Sequence, residues 1–137
     1  MWRASLRAEG NVGKVTAGGM TGSLLFAGVN DTSALPDDPS DFDALSPAAI
    51  GSLTIRGIPG STDAHFFVGS VVAASRINSV TLRDVGTVGG TAYVPLGLAA
   101  DTEIGSLKIY TGGSVTTSRR SITASLPDVD DFRVRVV

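Results

Sequence analysis

The chain has 137 residues, 42% apolar and 18% charged, with 17 glycines, no cysteine, a mean hydropathy of +0.24 and a net charge of −2. That length suits one domain or a piece of a longer one, and the composition excludes intrinsic disorder, a disulfide framework and a thiolate metal site. The small net charge excludes a strong overall field for nucleic acid or anionic lipid, and no apolar run approaches a membrane span. Five Phe, two Tyr and one Trp are few, while glycine exceeds its usual ~7%. These numbers favour a β-rich protein whose core is built from small aliphatics.

Met1-Trp2-Arg3-Ala4-Ser5-Leu6-Arg7 lacks the apolar region of a signal peptide, so either the protein is intracellular or an export signal lies upstream. Val12-Gly13-Lys14-Val15-Thr16-Ala17 is the first short apolar element and Ser23-Leu24-Leu25-Phe26-Ala27-Gly28 the second. A polar insert follows over residues 30–46. Ile50-Gly51-Ser52-Leu53-Thr54-Ile55-Arg56 then begins a run of small strands that continues through His65-Phe66-Phe67-Val68 and Ser70-Val71-Val72-Ala73-Ala74. Ile77-Asn78-Ser79-Val80-Thr81-Leu82-Arg83, Thr91-Ala92-Tyr93-Val94, Leu96-Gly97-Leu98-Ala99-Ala100 and Ile104-Gly105-Ser106-Leu107-Lys108-Ile109-Tyr110 complete it. Alternation of period two and enrichment in Val, Ile, Leu and Thr read as β-strands, and frequent glycine disfavours helix.

Three of these segments are one motif. Ile50–Arg56, Ile77–Arg83 and Ile104–Tyr110 recur at a spacing of 27 residues both times. The segment at Val12 is a weaker copy, 38 residues before Ile50, and the surplus of 11 is explained by the insert. A fixed period of this length signals a solenoid, here a short right-handed parallel β-helix, with the hand taken from the general rule for parallel crossovers. The competing all-β fold is a β-sandwich, which gives no reason for the recurrence. Stacking predicts three interior ladders: Val12, Ile50, Ile77 and Ile104; Val15, Leu53, Val80 and Leu107; Ala17, Ile55, Leu82 and Ile109. Thr16, Thr54, Thr81 and Lys108 face outward. The column Gly13, Gly51, Asn78 and Gly105 reads as corners with φ above zero, since glycine and asparagine tolerate left-handed angles. Residues 1–117 form the repeat region and 118–137 a C-terminal cap segment, whose Phe132-Arg133-Val134-Arg135-Val136-Val137 alternates like a covering strand. With no comparable N-terminal cap, the chain reads as the last rungs of something longer.

Leu6-Arg7-Ala8-Glu9-Gly10-Asn11-Val12-Gly13-Lys14-Val15-Thr16-Ala17-Gly18-Gly19, Leu96-Gly97-Leu98-Ala99-Ala100-Asp101 and the ending Asp131-Phe132-Arg133-Val134-Arg135-Val136-Val137 resemble repeats and chain ends of very large bacterial cell-surface or secreted β-strand-repeat proteins. The resemblance covers nearly the whole chain, through motifs made of small residues, glycines and aliphatics. It implies an extracellular or cell-surface, adhesin-like stalk and transfers no catalytic residue.

The insert carries the sharpest candidate chemistry. Asp37, Asp38, Asp41 and Asp43 offer oxygen ligands of the kind Ca²⁺ takes, without the glycine turn and terminal glutamate of an EF-hand. Read plainly, the same residues make turns in a solvated loop. Asp128, Asp130 and Asp131 form a second acidic group, more cheaply read as gatekeepers beside an apolar strand. A polysaccharide lyase or hydrolase is the enzymatic alternative, with Asp84, Asp101 and Glu103 near Arg76 and Arg83. Few aromatics for sugar stacking count against it, and ladder pairs explain those residues equally well. His65, the sole histidine, cannot build a metal cluster or triad unaided. Gly86-Thr87-Val88-Gly89-Gly90 precedes no Lys-Ser/Thr and reads as a turn, and Arg119-Arg120 is too short for a nucleic-acid patch. The expectation is a non-catalytic structural or adhesive surface module without a required cofactor. Its partners are further β-helix rungs of the same or a longer chain, or surface glycans or proteins, with no nucleic acid and no membrane span. The alternatives are a polysaccharide-active enzyme and a Ca²⁺-dependent binding module.

Overall fold

A computed structural model describes residues 1–30, 34–87 and 96–137. Among them the chain is all-β, with one 3-10 turn at Pro39–Asp41 and no α-helix. The strands are β1 (Ser5–Ala8), β2 (Val12–Ala17), β3 (Met20–Thr21), β4 (Leu24–Ala27), β5 (Ala49–Ile55) and β6 (Phe67–Val68). They continue as β7 (Val71–Ile77), β8 (Val80–Arg83), β9 (Val85–Gly86), β10 (Leu96–Thr111), β11 (Ser114–Ile122) and β12 (Phe132–Val136). The expected strand at Thr91–Val94 lies outside the described residues. Of His65–Val68, only the last two residues are extended.

Pairing is mostly parallel and falls into three ladders. The first stacks β1, β4, β7, the start of β10, and β12, with Leu25 beside Leu6 and Val72, and Leu98 between Val72 and Val134. The second stacks β2, β5, β8 and the end of β10. Here Ile50 pairs with Val12 and Ile77, Ile104 with Ile77, and Val80 with Leu53 and Leu107. The third, shortest ladder runs β3, β6, β9 through Met20, Phe67 and Val85. The registers across the second ladder are those the 27-residue recurrence predicts. One extra residue in β10, between Ala100 and Glu103, shifts the pairing with β7 as the strand turns from the first ladder toward the second.

Two features depart from an open stack of coils. β5 and β10 both run through the bend that separates β7 from β8, so β5, β7, β10 and β8 pair in a closed four-strand ring. β11 returns antiparallel along β10 through a tight turn at Gly112 and Gly113, whose φ angles of 56° and 87° need glycine. β12 then lies parallel on β10, as the strand that covers its free edge.

The predicted ladder residues form the core. Ile50, Ile77, Ile104, Leu53, Val80, Leu107, Ile55 and Leu82 are buried, while Val12, Val15, Ala17 and Ile109 are half-buried against them. Each full burial of such a side chain stabilises by roughly 1.5–3 kcal/mol. A second apolar layer lies on the other side of the first ladder, where Phe26, Val71, Ala73 and Ala99 meet Leu35 and Phe42 from the insert.

The expected corner column is corrected. Gly13, Gly51, Asn78 and Gly105 are absent from the positive-φ residues, which include Gly22, Gly57, Gly69 and Asp84 instead. At two of the four positions, Gly51 and Gly105, what is required is the lack of a side chain. A Cβ on Gly51 would come within 2.5 Å of the Gly13 carbonyl oxygen, and one on Gly105 within 2.5 Å of that of Asn78. Glycine here allows neighbouring backbones to close up at the bend, whereas the left-handed turns sit between ladders.

Candidate functional site

The insert is a cover packed on the first ladder. Leu35 and Phe42 are buried on its outer face, and Pro36 is buried beside them. Each acidic side chain then has a local task. Asp38 caps the 3-10 turn: its Oδ1 accepts from the Ser40 backbone N–H at 2.8 Å. That bond, with a further one from the Ser40 hydroxyl, holds the Asp38 carboxyl below the usual carboxylate range. Asp41 Oδ2 accepts from the backbone N–H groups of Asp37 and Asp38 at 3.0 and 3.3 Å, closing a reciprocal cap. Asp43 Oδ1 accepts from Leu45 and Ser46 at 2.9 and 3.2 Å, an Asx-type turn. Asp37 faces Arg135 of β12 at 3.5 Å, and the same guanidinium reaches the Pro36 carbonyl oxygen at 3.5 Å.

The four carboxylates are thus spread along the loop, three turned toward its backbone and Asp37 toward Arg135. Among the described residues, no three His, Asp or Glu side chains gather so as to hold a metal ion. Melting with and without millimolar Ca²⁺ is therefore expected to give the same Tm. A rise in Tm, which any ligand held only by the folded state must produce, would instead establish a Ca²⁺ site.

The other sequence candidates are likewise dispersed. Arg76 and Glu103, on adjacent strands, form a 3.1 Å ion pair at the bend, and the Asp84 carboxylate accepts from the Gly112 backbone N–H at 2.8 Å. Glu103 and Asp84 are thus each engaged by a different neighbour, one a guanidinium and the other a backbone N–H. Asp128 pairs with Arg133 at 3.4 Å, and Asp130 accepts from the Thr87 hydroxyl at 3.2 Å. His65 is exposed beside Gly86. A cavity of about 360 Å³ lies among β10, β11 and residues 126–134. Its walls include Leu107, Ile109, Val129, Phe132 and several threonines, with Arg119 its one charged lining residue.

Sequence reasoning missed a buried serine column. Ser23 and Ser70 are fully buried at the turns leading into β4 and β7, each following a left-handed glycine, Gly22 or Gly69. The Ser70 hydroxyl accepts from the Ser23 backbone N–H at 3.1 Å and donates to the Val68 carbonyl at 2.9 Å. The Ser23 hydroxyl repeats the arrangement one strand earlier, with Ala4 and Thr21. The recurring Gly-Ser dipeptide is the signal that could have shown it. This column satisfies backbone groups inside the turn; it is structural and carries no chemistry.

No family model, curated protein or solved structure matches the chain.

Proposed function

We propose that the protein is a non-catalytic structural or adhesive surface module, a rigid segment of right-handed parallel β-helix with coils of about 27 residues. One observation carries this reading: residues 27 positions apart, Ile50, Ile77 and Ile104, lie directly beside one another on successive parallel strands. On this reading each coil contributes one strand to each of the three ladders. The closed four-strand ring then arises locally, because two coils pass through one bend unbroken while the coil between them is interrupted at Asn78 and Ser79. The backbone hydrogen bonds run along the stacking axis, which is what gives such a rod its stiffness.

The extracellular or cell-surface location rests on the resemblance of the Leu6–Gly19, Leu96–Asp101 and Asp131–Val137 phrases to bacterial surface repeat proteins. Further rungs, of this or a longer chain, are the natural partners of its parallel edges, since an unpaired strand edge templates another strand. Scoring new reducing ends and unsaturated uronates after incubation with a panel of neutral and acidic polysaccharides is expected to give none. Reproducible cleavage would overturn the non-catalytic reading. Antibodies against the chain are expected to label intact producing cells, and labelling only after lysis would overturn the surface assignment.

A further inference from the structure

The second ladder changes chemistry at its last strand. Residues directly opposite on paired strands share a face, so β11 continues the interior columns of β10. Ile122, opposite Ile104, keeps its column apolar and is buried. Arg119 stands opposite Leu107, and Thr117 opposite Ile109. The column of Val15, Leu53, Val80 and Leu107 therefore ends in an inward-facing arginine. Arg120, opposite Ser106, lies on the outward side.

That arginine borders the cavity of about 360 Å³. Leu107 and Ile109 line it from β10, Phe132 and Val134 from β12, and Leu126 and Val129 from the loop between β11 and β12. Val129 is 62% exposed and Arg119 is exposed, so the cavity opens to solvent beside them. None of the aspartates at 128, 130 and 131 lines it; Asp128 faces Arg133, and Asp130 accepts from the Thr87 hydroxyl. The ion pairs among the described residues engage Arg76, Arg133 and Arg135, and not Arg119. An inward charge on an edge strand also discourages a further strand from stacking. That task needs the charge alone, without an apolar cavity in front of it.

We propose that this cavity binds a fatty-acid-type amphiphile, one apolar chain bearing one carboxylate. Its volume lies at the low end of the ~300–1,000 Å³ of small-molecule sites, which suits a single short chain and not a two-chain membrane lipid. The aliphatic walls and Phe132 take the chain out of water. The Arg119 fork donates to the carboxylate oxygens, and the Thr117 hydroxyl is a further donor beside it. A sugar fits less well, because these walls leave its hydroxyls without partners. The site goes beyond the structural reading and does not rest on it, so either can fail alone.

The test is an amide NMR titration of the whole chain with octanoate below its micelle concentration. Octanoate is expected to shift residues 116–119 and 126–134 and to leave residues 2–8 unmoved. Octanol, the same chain without the charge, is expected to bind in the same place about tenfold more weakly. Arg119→Gln is expected to lower octanoate to the affinity of octanol and to leave octanol unchanged. Arg120→Gln removes the same charge one position along, on the outward side, and is expected to bind as the wild type does. Val129→Asn, at an exposed lining position, is expected to weaken both ligands. Amide shifts away from the cavity verify that each variant is folded. Any of four results would overturn the proposal: no octanoate shifts, shifts spread over all three ladders, equal effects of Arg119→Gln and Arg120→Gln, or binding to phosphatidylglycerol vesicles in preference to octanoate.

Discussion

Leu107→Asp is expected to abolish the folded state, and Leu53→Asp and Val80→Asp to do the same. The three residues form one column across adjacent strands, and each is at most 1% exposed. Truncating a buried leucine costs about 2–5 kcal/mol, and an unpaired carboxylate in its place adds several more. Domains of this size are stable by roughly 5–15 kcal/mol, so a single such change consumes most of the margin. One position along each strand the outcome reverses. Thr81, half-buried, faces outward beside Thr54 and Lys108, and Thr81→Asp is expected to leave the protein folded, with a loss of about 1 kcal/mol from the poorer strand propensity of aspartate. Circular dichroism melts distinguish the sets. Comparable unfolding in both would mean that the strands do not stack in the stated register.

Residue spacing reveals this register because parallel stacking places equivalent residues of successive repeats directly beside each other. Where the period is unbroken, from Ile50 to Tyr110, the pairing can be read from the sequence almost residue by residue. It fails where the period is broken. Ser23 and Ser70 play the same part but stand 47 residues apart, because the insert and the loop before Phe67 lie between them, and their column went unrecognised. The glycine column fails for a different reason. A recurrent Gly/Asn position is compatible with a left-handed turn and with a close backbone approach, and composition cannot separate the two. Only the 2.5 Å approach at Gly51 and Gly105 does so. Nor does a count of carboxylates reveal direction. Asp37, Asp38, Asp41 and Asp43 look like a ligand set in one dimension, yet three of them bind their own loop's backbone and the fourth faces Arg135.

The insert also shows why a loop of this length persists in a regular sheet. The first ladder is apolar on both sides: Leu25, Val72 and Leu98 face the main core, and Phe26, Ala73 and Ala99 face away from it. An uncovered outer side would be an exposed apolar patch of the sort that drives association. Leu35 and Phe42 close it, and the capping aspartates hold the loop in the shape that presents them. The second ladder needs no such cover, since its outer side is threonine, serine and cation. The two faces therefore differ in kind: one is sealed by its own chain, and the other is polar and open to solvent.

Gly97→Ala is the second change expected to have a large effect, and it acts on β12. Gly97 has φ +136°, a backbone region that L side chains rarely adopt, and it pairs directly with Arg133. A Cβ there would fall on the Arg133 carbonyl oxygen, so the β10–β12 ladder and the new methyl group cannot both keep their places. Backbone strain of 1–3 kcal/mol and overpacking of similar size together give a loss of about 3 kcal/mol or more. Because β12 pairs with β10 alone among the strands, its other edge being held only by loop residues, Ser125 and Leu126 among them, it is the element that yields. Phe132 then leaves its edge-on contact with Phe67, 6.1 Å between ring centres, and Val134 leaves Leu98. Amide exchange is expected to accelerate across residues 132–136 before it does so in β5 and β8, with increased binding of an apolar dye. Gly13→Ala supplies the contrast, since nothing lies within 4 Å of the added Cβ and no left-handed angle is needed; it is expected to be neutral or slightly stabilising. Unchanged protection of β12 in the Gly97 variant would mean that this strand does not lie against Gly97 in solution.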